Sequence, residues 1–281
     1  MQAGAIDLKV DNTCYYNGRL CRLQPDGTGI WEGTEEEECT CSWTETDLTT
    51  EKFFELLDIK PGDWEEDTIS LRVKDNEAWL CADVHLTSDD DVTCTEPESE
   101  STDPQCNLSG VPGKGELADR VNFLWWADDG DNVLECRLVD DDENPQTPEV
   151  CDPLAEGSEH TLPSGPLGVL DVSQTAHVTL ADASNNMWTG LPNNPIPQGG
   201  DTWYIGKGWC FGRITETPVP QDGLGSNGQN GPNSPRGGGF SCDGSDEGNE
   251  TQTDRLNADI GFRAVQARNN PDFLCNPPIP E

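Results

Sequence analysis

The sequence predicts an all-β fold, an antiparallel β-sandwich with long insertions between its strands. Two runs of residues, 69–74 and 78–86, alternate apolar and polar side chains with the period of two that is typical of a strand with one buried face. A Lys-Pro-Gly-Asp turn at 60–63 precedes them and a short polar connection separates them, so the pattern favours an antiparallel hairpin. About eight to ten such strands and few helical patterns favour one all-β domain.

The remaining strands are predicted from the same alternation. The first, at 5–11, has three inward side chains, which are Ile6, Leu8 and Val10. Residues 121–126 are apolar on both faces, so Trp126 lies at an interface or, as the sequence favours, under an inserted loop. Later strands are predicted at 133–139, 167–172, 176–180, 202–214 and 256–267.

Three local patterns add detail to this sandwich. Residues 50–57 predict a helical turn, because apolar side chains at spacings of three and four share one face. Gly206 and Gly208 interrupt the strand at 202–214 and indicate a bulge. The strand at 133–139 is expected to return beside the strand before it. Residues 1–281 then form one domain, with insertions at about 12–48, 87–115, 140–166 and 218–250.

Twelve cysteines indicate an oxidising compartment, where an even and high number of thiols pairs into disulfides. A zinc site would need close Cys-x-x-Cys pairs, and the closest spacing here is Cys39-x-Cys41. Disulfides are therefore favoured, and pairs that close one insertion are expected, although the connectivity stays open. The cysteines are Cys14, Cys21, Cys39, Cys41, Cys81, Cys94, Cys106, Cys136, Cys151, Cys210, Cys242 and Cys275.

The charge balance is strongly acidic. Lys and Arg total 16 against 54 Asp and Glu, which gives a formal net charge of −38. Such a chain repels nucleic acid and anionic lipid, so both are excluded as partners. A surface rich in carboxylates and poor in Lys is typical of a halophilic protein, in which molar salt screens the self-repulsion. The alternative of an acidic disordered chain is disfavoured by nine Trp and clear strand patterns.

The motifs do not indicate an enzyme. The three histidines, His85, His160 and His177, form no zinc-ligand motif, and neither a nucleophile elbow nor a phosphate-binding loop is present. One turn is a candidate Ca²⁺ site, because it offers several hard oxygen ligands around a glycine. Its ligands would be Asp128, Asp129, Asp131 and Asn132. The favoured alternative is a solvated acidic turn, and no other cofactor is expected.

Four segments follow one another in an informative order: 4–11 (GAIDLKVD), 56–86 with its Lys-Pro-Gly-Asp turn, 117–135 (LADRVNFLWWADDGDNVLE) and 257–275 (NADIGFRAVQARNNPDFLC). Together they resemble the TasA/camelysin family of secreted surface proteins and biofilm-fibre subunits, especially members from salt-loving archaea. The resemblance covers roughly a third of the chain and implies a jelly-roll sandwich. Camelysin metallopeptidase activity does not carry over, because no zinc-ligand motif is present.

The resemblance implies a secreted cell-surface protein that forms filaments with copies of itself, as in those family members in which each subunit passes an N-terminal strand to the next. Trp126 and the first strand, with Ile6, Leu8 and Val10, would then lie at the interface. The alternative is a surface module that binds a glycan or another surface protein through exposed Trp and long loops. Two sequons, at Asn107 and Asn249, suit export. The sequence shows no signal peptide and no membrane-spanning run. Two explanations are expected, which are a trimmed mature form with an added Met or a start that has been placed too late.

Overall fold

The computed structural model describes residues 6–34, 36–55, 58–96, 98, 106, 111, 113–139, 150–152, 159, 161–170, 172–227 and 238–277. This part of the chain is predominantly β-strand, as predicted. Its strands are β1 (Asp7–Tyr16), β2 (Arg19–Leu23), β3 (Gly29–Trp31), β4 (Glu38–Cys39), β5 (Trp43–Thr46), β6 (Trp64–Lys74), β7 (Ala78–Asp91), β8 (Val121–Asp128), β9 (Glu135–Val139), β10 (Val150–Asp152), β11 (Thr161–Pro166), β12 (Thr175–Ala181), β13 (Thr202–Phe211), β14 (Arg213–Glu216), β15 (Val219–Pro220), β16 (Phe240–Asp243) and β17 (Asp254–Gln266).

Helical structure is confined to short pieces. One four-residue α-helix, α1 (Leu117–Arg120), precedes β8, and short 3₁₀ turns lie at Leu167–Val169, Gly225–Asn227 and Ala267–Asn269. No helix of the described residues is long and apolar enough to cross a membrane. The helical turn expected at 50–57 is wrong for residues 50–55, which have no helical backbone, and residues 56 and 57 lie outside the described part.

Two antiparallel sheets form the body of the fold. The large sheet has the order β11-β8-β13-β6-β1, and the far side of β1 is shared by β5 and by β2, which continues into β3 and β4. The second sheet has the order β12-β7-β17. The main apolar core lies between the two sheets, because it collects the inward side chains of β6, β8 and β13 from one and of β7 from the other. The predicted all-β, sandwich-like architecture is confirmed.

The predicted hairpin of β6 and β7 has the correct strands and the wrong pairing. β6 pairs with β1 and β13, whereas β7 pairs with β12 and β17, so residues 75–77 carry the chain from one sheet to the other. Asp75, with φ +75°, makes this turn possible. Alternation of apolar residues is the same whether two strands lie side by side or face each other across a core, so periodicity alone does not decide between them.

The outer face of the large sheet carries a second, smaller core. Trp126 is fully buried there with Leu124 and Leu134, and its ring packs against Phe240 from the insertion after β15. The prediction that Trp126 lies at an interface with another molecule is therefore wrong. The alternative prediction, that an inserted segment covers Trp126, is correct. The bulge predicted in β13 is also wrong, since its register is regular on both sides. Gly206 instead leaves room for the indole, because a Cβ there would lie 1.9 Å from Trp126 Cε2.

The first strand is longer than predicted and belongs to the main sheet. Val10 is 1% exposed in the core, and Ile6 and Leu8 pack against that core while partly exposed. β1 continues to Tyr16 and is paired on both sides, so these three side chains serve the subunit's own core. β9 also differs from its prediction, because it pairs with β10 and, in parallel, with β15 rather than with β8. Residues 167–169 are a 3₁₀ turn rather than a strand.

All twelve cysteines are paired, as predicted, and none is free. Several disulfides close single insertions, which was also expected, and Cys81–Cys275 ties β7 to the segment that follows β17. Because every thiol is used in a disulfide, none is left to bind zinc. The other pairs are Cys14–Cys41, Cys21–Cys39, Cys94–Cys106, Cys136–Cys151 and Cys210–Cys242.

Candidate metal centre

The acidic turn after β8 has a defined and buried geometry. Asp128 ends the strand, and its Oδ2 accepts the backbone N–H groups of Gly130 at 3.1 Å and Asn132 at 3.3 Å. The turn needs positive φ at two positions, Gly130 (+108°) and Asn132 (+65°), which Gly and Asn tolerate best. Asp128 is 5% exposed and Asn132 is 2% exposed. Asp128 and Asn132 are therefore buried, whereas Asp129, Gly130 and Asp131 are partly exposed, so the turn is only partly solvated.

Carboxylates gather around this turn from four parts of the chain. One oxygen each of Asp128, Asp129 and Asp131 lies within 4.8 Å of the others, and Asp131, Glu135 and Asp222 make a second such triad. Glu159 holds the two sides together, because its carboxylate accepts the N–H of Asp129 at 2.9 Å and that of Glu135 at 2.8 Å. The arrangement brings six carboxylates of β8, β9 and two insertions to one place.

The electrostatics of these carboxylates favour a positive ion. Burial, with the nearby charge of Asp131, raises the pKa of Asp128 to about 7. Burial and Asp131 likewise raise the pKa of Glu135 to about 8. Burial is also the largest cause that raises the pKa of Glu159 well above its usual range, followed by the charge of Asp128. Each ionised carboxylate is thus opposed by desolvation and by its neighbours, a condition that a bound cation reverses.

Two buried polar groups of this turn have no hydrogen-bond partner among the described residues. They are Oδ1 of Asp129 and the whole side-chain amide of Asn132. A buried polar group without a partner costs about 1–3 kcal/mol, so native structures rarely leave one unless a water or an ion completes it. The oxygens offered here are carboxylate and amide oxygens, the hard ligands that Ca²⁺ prefers. Of the four residues that the sequence singled out, the three aspartates are brought together, and Asn132 adjoins them through its backbone N–H on Asp128.

The sequence analysis did not predict three carboxylates of this cluster, which are those of Glu135, Glu159 and Asp222. Glu135 lies only three residues after Asn132 and could have been found by extending the acidic window. Glu159 and Asp222 lie in insertions, and no periodic or motif signal connects them to the turn. Asp222 approaches because its own N–H donates to Glu135 Oε1 at 3.3 Å.

A second acidic cluster lies at the end of β7. One oxygen each of Asp91, Glu98 and Asp254 lies within 4.8 Å of the others, and Asp91 and Glu98 are fully buried. Burial raises the pKa of Asp254 to about 7, although its Oδ2 accepts the N–H groups of Glu116 and Leu117. The sequence did not predict this cluster, since β17 supplies Asp254 far from the other two residues.

The histidines take no part in either cluster. His85 is half-buried, and its Nδ1 lies 3.0 Å from the carbonyl of Gln174. His177 Nδ1 lies 2.7 Å from Asp83 on the outer face of the second sheet. His160 and the sequon at Asn107 lie outside the described residues, whereas Asn249 lies in an exposed turn.

Comparisons with known proteins give no match. No protein-family model, curated protein or solved structure matches this chain. The resemblance to the TasA/camelysin family therefore stays a prediction.

Proposed function

We propose that this chain is a secreted structural protein of a cell surface, a filament or biofilm-matrix subunit of the TasA type. Six disulfides support an oxidising, extracellular setting, because each one persists only outside a reducing cytosol. The acidic composition supports a salt-rich exterior. The jelly-roll form of the sandwich is part of the proposal, and it is supported by the way β6, β7, β8, β12, β13 and β17 alternate between the two sheets along the chain.

The observation that carries this proposal is the open edge of β17. Its thirteen residues pair with β7 on one side, and no strand of the described chain pairs with the other side. Its inward apolar side chains are only half-buried, and they include Ile260 and Phe262. An exposed edge of this length presents backbone N–H and C=O groups to which a further strand can add.

A cavity on the inner face of this sheet includes β17 in its lining, together with β7 and β12. It has a volume of about 320 Å³, lies between the two sheets and is lined mainly by apolar side chains, among them Trp125, Val178 and Ile260. A strand that adds to a sheet gains affinity from backbone hydrogen bonds and specificity from alternate side chains that fill such cavities. The occupant that we propose is a strand of a second copy of this chain.

In this proposal Ca²⁺ holds the outer insertions on the sandwich. The acidic turn joins β8 to β9, Glu159 comes from the segment before β11, and Asp222 comes from the segment after β15. An ion bound among them would fix the β8–β9 turn and two insertions at one point on the outer face. Surface proteins outside the cell commonly use Ca²⁺ in this way because the ion is abundant there.

The assembly is tested by placing a charge on the open edge. Ile260→Lys directs an ammonium toward the cavity, while Gly261→Lys makes the same change of charge on the other face, where a side chain meets open space. At molar salt and high protein concentration, size-exclusion chromatography and electron microscopy should show filaments or oligomers for the unaltered chain and for Gly261→Lys, and monomers for Ile260→Lys. Monomers in all three cases would exclude strand addition at β17.

The alternative of a binding module that uses exposed tryptophans has less support. All nine tryptophans lie among the described residues and none of them is exposed. Trp188 and Trp203, which come nearest to a surface pair, pack edge to face at 5.2 Å, and the Trp188 indole N–H donates to the carbonyl of Tyr204 at 2.7 Å. Their rings are therefore engaged within the subunit.

A further inference from the structure

Three charged side chains lie inside the apolar core between the sheets. The inward face of β6 carries Glu65 and Asp67 before it becomes apolar at Ile69, and β13 places Lys207 on the same face. Glu65, Asp67 and Lys207 are each 0% exposed. Lys207 stands directly across from Asp67 in the register of the two strands. A lysine without any contact with water is rare, because its ammonium strongly prefers solvent.

The contacts around Lys207 differ from those of an ordinary ion pair. Its Nζ lies 2.5 Å from Asp67 Oδ2 and 3.9 Å from Glu65 Oε1. At this short distance Nζ and Oδ2 still lack the angles of a hydrogen bond, and neither atom has another hydrogen-bond partner within the described part of the chain. The rings of Phe53 and Phe54 flank Nζ, with centroids 5.9 and 5.5 Å away. The amine thus contacts a carboxyl group in a buried site flanked by two aromatic rings.

Two further side chains orient the carboxyl groups. The Asn12 amide donates from Nδ2 to Asp67 Oδ1 at 2.5 Å, and the Trp209 indole donates to Glu65 Oε2 at 3.0 Å. Each carboxyl group therefore has one oxygen held by an N–H donor and one oxygen turned toward the amine. The hydrogen bond from Asn12 draws electron density from the Asp67 carboxyl and makes its carbon more open to a nucleophile.

Burial favours the neutral forms of the Glu65 and Asp67 carboxyl groups. Desolvation is the main cause that raises the pKa of Asp67 and, with the charge of Asp67, raises the pKa of Glu65 well above its usual range. Moving the ammonium proton to the carboxylate removes two buried charges and leaves an amine beside a carboxylic acid. A neutral amine has a free lone pair, and it is held in contact with the carboxyl group by two paired strands.

We propose that Lys207 and Asp67 condense to form an intramolecular amide bond in the folded protein. The Nζ lone pair attacks Cγ of the Asp67 carboxylic acid, so that a C–N bond forms. The nitrogen loses one proton to Glu65, and Glu65 supplies one proton to the departing hydroxyl. The C–O bond then breaks and one water leaves, while Glu65 ends as it began. Carboxylic acid and amine become amide and water, and no oxidant, reductant or activating co-substrate is needed.

The bond would join β6 to β13, the two central strands of the large sheet. Neither strand could then leave the other without breaking a covalent bond, which suits a protein that carries load at a surface. This inference goes beyond the proposed function and is independent of it, because it needs neither Ca²⁺ nor a second copy of the chain.

The intact mass of the reduced and alkylated protein tests the proposal. It should be lower than the mass of the sequence by one water molecule. Trypsin should not cut after Lys207, and a branched peptide should join residues 53–72 to residues 138–213. This map also separates the proposed bond from dehydration at an Asp-Gly pair, which would leave Lys207 cleavable. A full sequence mass, or ordinary cleavage after Lys207, would overturn the proposal without any variant.

Two variants assign the roles. Lys207→Met keeps a long apolar side chain without the amine and should show the full mass of its sequence. Glu65→Gln keeps Lys207 and Asp67 but cannot relay the proton, and it should accumulate the uncondensed chain. If Glu65→Gln condenses as completely as the unaltered protein, the proton-transfer role of Glu65 is wrong.

Discussion

Replacing Asp129 by Asn gives the sharpest test of the acidic turn as a cation site. Oδ1 of Asp129 is buried and accepts no hydrogen bond from the described residues, so the substitution removes charge without breaking a known contact. The charge of Asp129 contributes to the raised pKa values of Asp128, Glu135 and Glu159. Without a cation the variant should therefore be more stable than the parent at pH 8. With Ca²⁺ it should gain less, because a ligand is missing.

The size of the effect follows from the geometry. The shift of the Asp128 pKa from 3.8 to about 7 amounts to roughly 4 kcal/mol of penalty on its ionised form, at 1.36 kcal/mol per unit, and burial is its largest cause. Two carboxylates within 4.8 Å repel by about 3 kcal/mol at an effective dielectric of about 20. Because Asp129 is half-buried, solvent screening reduces this to about 1 kcal/mol. The expected rise in Tm without Ca²⁺ is then about 2–4 °C.

The pH dependence has a definite sign. The folded pKa of Asp128 is raised to about 7 above an unfolded value near 3.9, so the folded state binds more protons between these values. Its contribution to stability is present in full below about pH 4 and is lost as the pH rises to about 7. Ca²⁺ should restore stability at the upper end of this window, since it binds the ionised carboxylates of the folded state only.

The test measures Tm by thermal unfolding of the parent and the variant in molar NaCl. Each is measured with chelator and with Ca²⁺, at pH 5 and at pH 8. Asp26→Asn is the control, because it removes the same charge from another turn aspartate, which lies in the first insertion and, unlike Asp129, accepts an N–H bond, from Thr28 at 3.0 Å. That control should lose a little stability and keep the full response to Ca²⁺. The cation site is refuted if Asp129→Asn is less stable with chelator and still responds fully to Ca²⁺.

Two further predictions concern salt and packing. With a net charge of −38, Tm should rise steeply from low salt to molar NaCl or KCl, and a flat curve would contradict the halophilic interpretation. Gly206→Ala should cost about 1–3 kcal/mol in chemical unfolding, because its Cβ would meet the Trp126 ring, whereas Gly261→Ala meets nothing within 4 Å and should be neutral or slightly stabilising. Equal stabilities for the two alanine variants would show that the indole does not sit over β13 as described.

The strands could be predicted from the sequence, but their partners could not. Alternation located β6, β7, β8, β13 and β17, because the period of two depends only on which side of a strand meets the core. The partner of a strand depends on contacts far away in the sequence, so the local pattern that suggested a hairpin at 75–77 was silent about a crossing between sheets. The disulfides were predicted as a class, since composition reveals the compartment, while their connectivity required the fold.

The residues of the candidate site also fall into those that the sequence predicted and those that it did not. Asp128, Asp129, Asp131 and Asn132 are neighbours in sequence and were found together, because a glycine turn with several oxygen ligands is a local signal. Glu159 and Asp222 were not found, since in a chain with 54 acidic residues no single carboxylate stands out. Lys207 was missed for the opposite reason. A lysine within a strand normally points to solvent, and only the register shows that it faces the core.

The outer insertions and the buried lysine depend on each other through the register of β13. Gly206, Gly208 and Cys210 share its outward face, where the two glycines leave room for aromatic rings and the cysteine pairs with Cys242. A slip of one residue would turn all three inward, and the covering insertion could no longer pack. The same slip would turn Lys207 outward, away from Asp67. The insertion that hides Trp126 thus also fixes the amine against the carboxyl group. Loosening it should lower the yield of the proposed amide bond, even though the described side chains around the reacting groups, Asn12, Phe53, Phe54 and Trp209, lie outside the insertion.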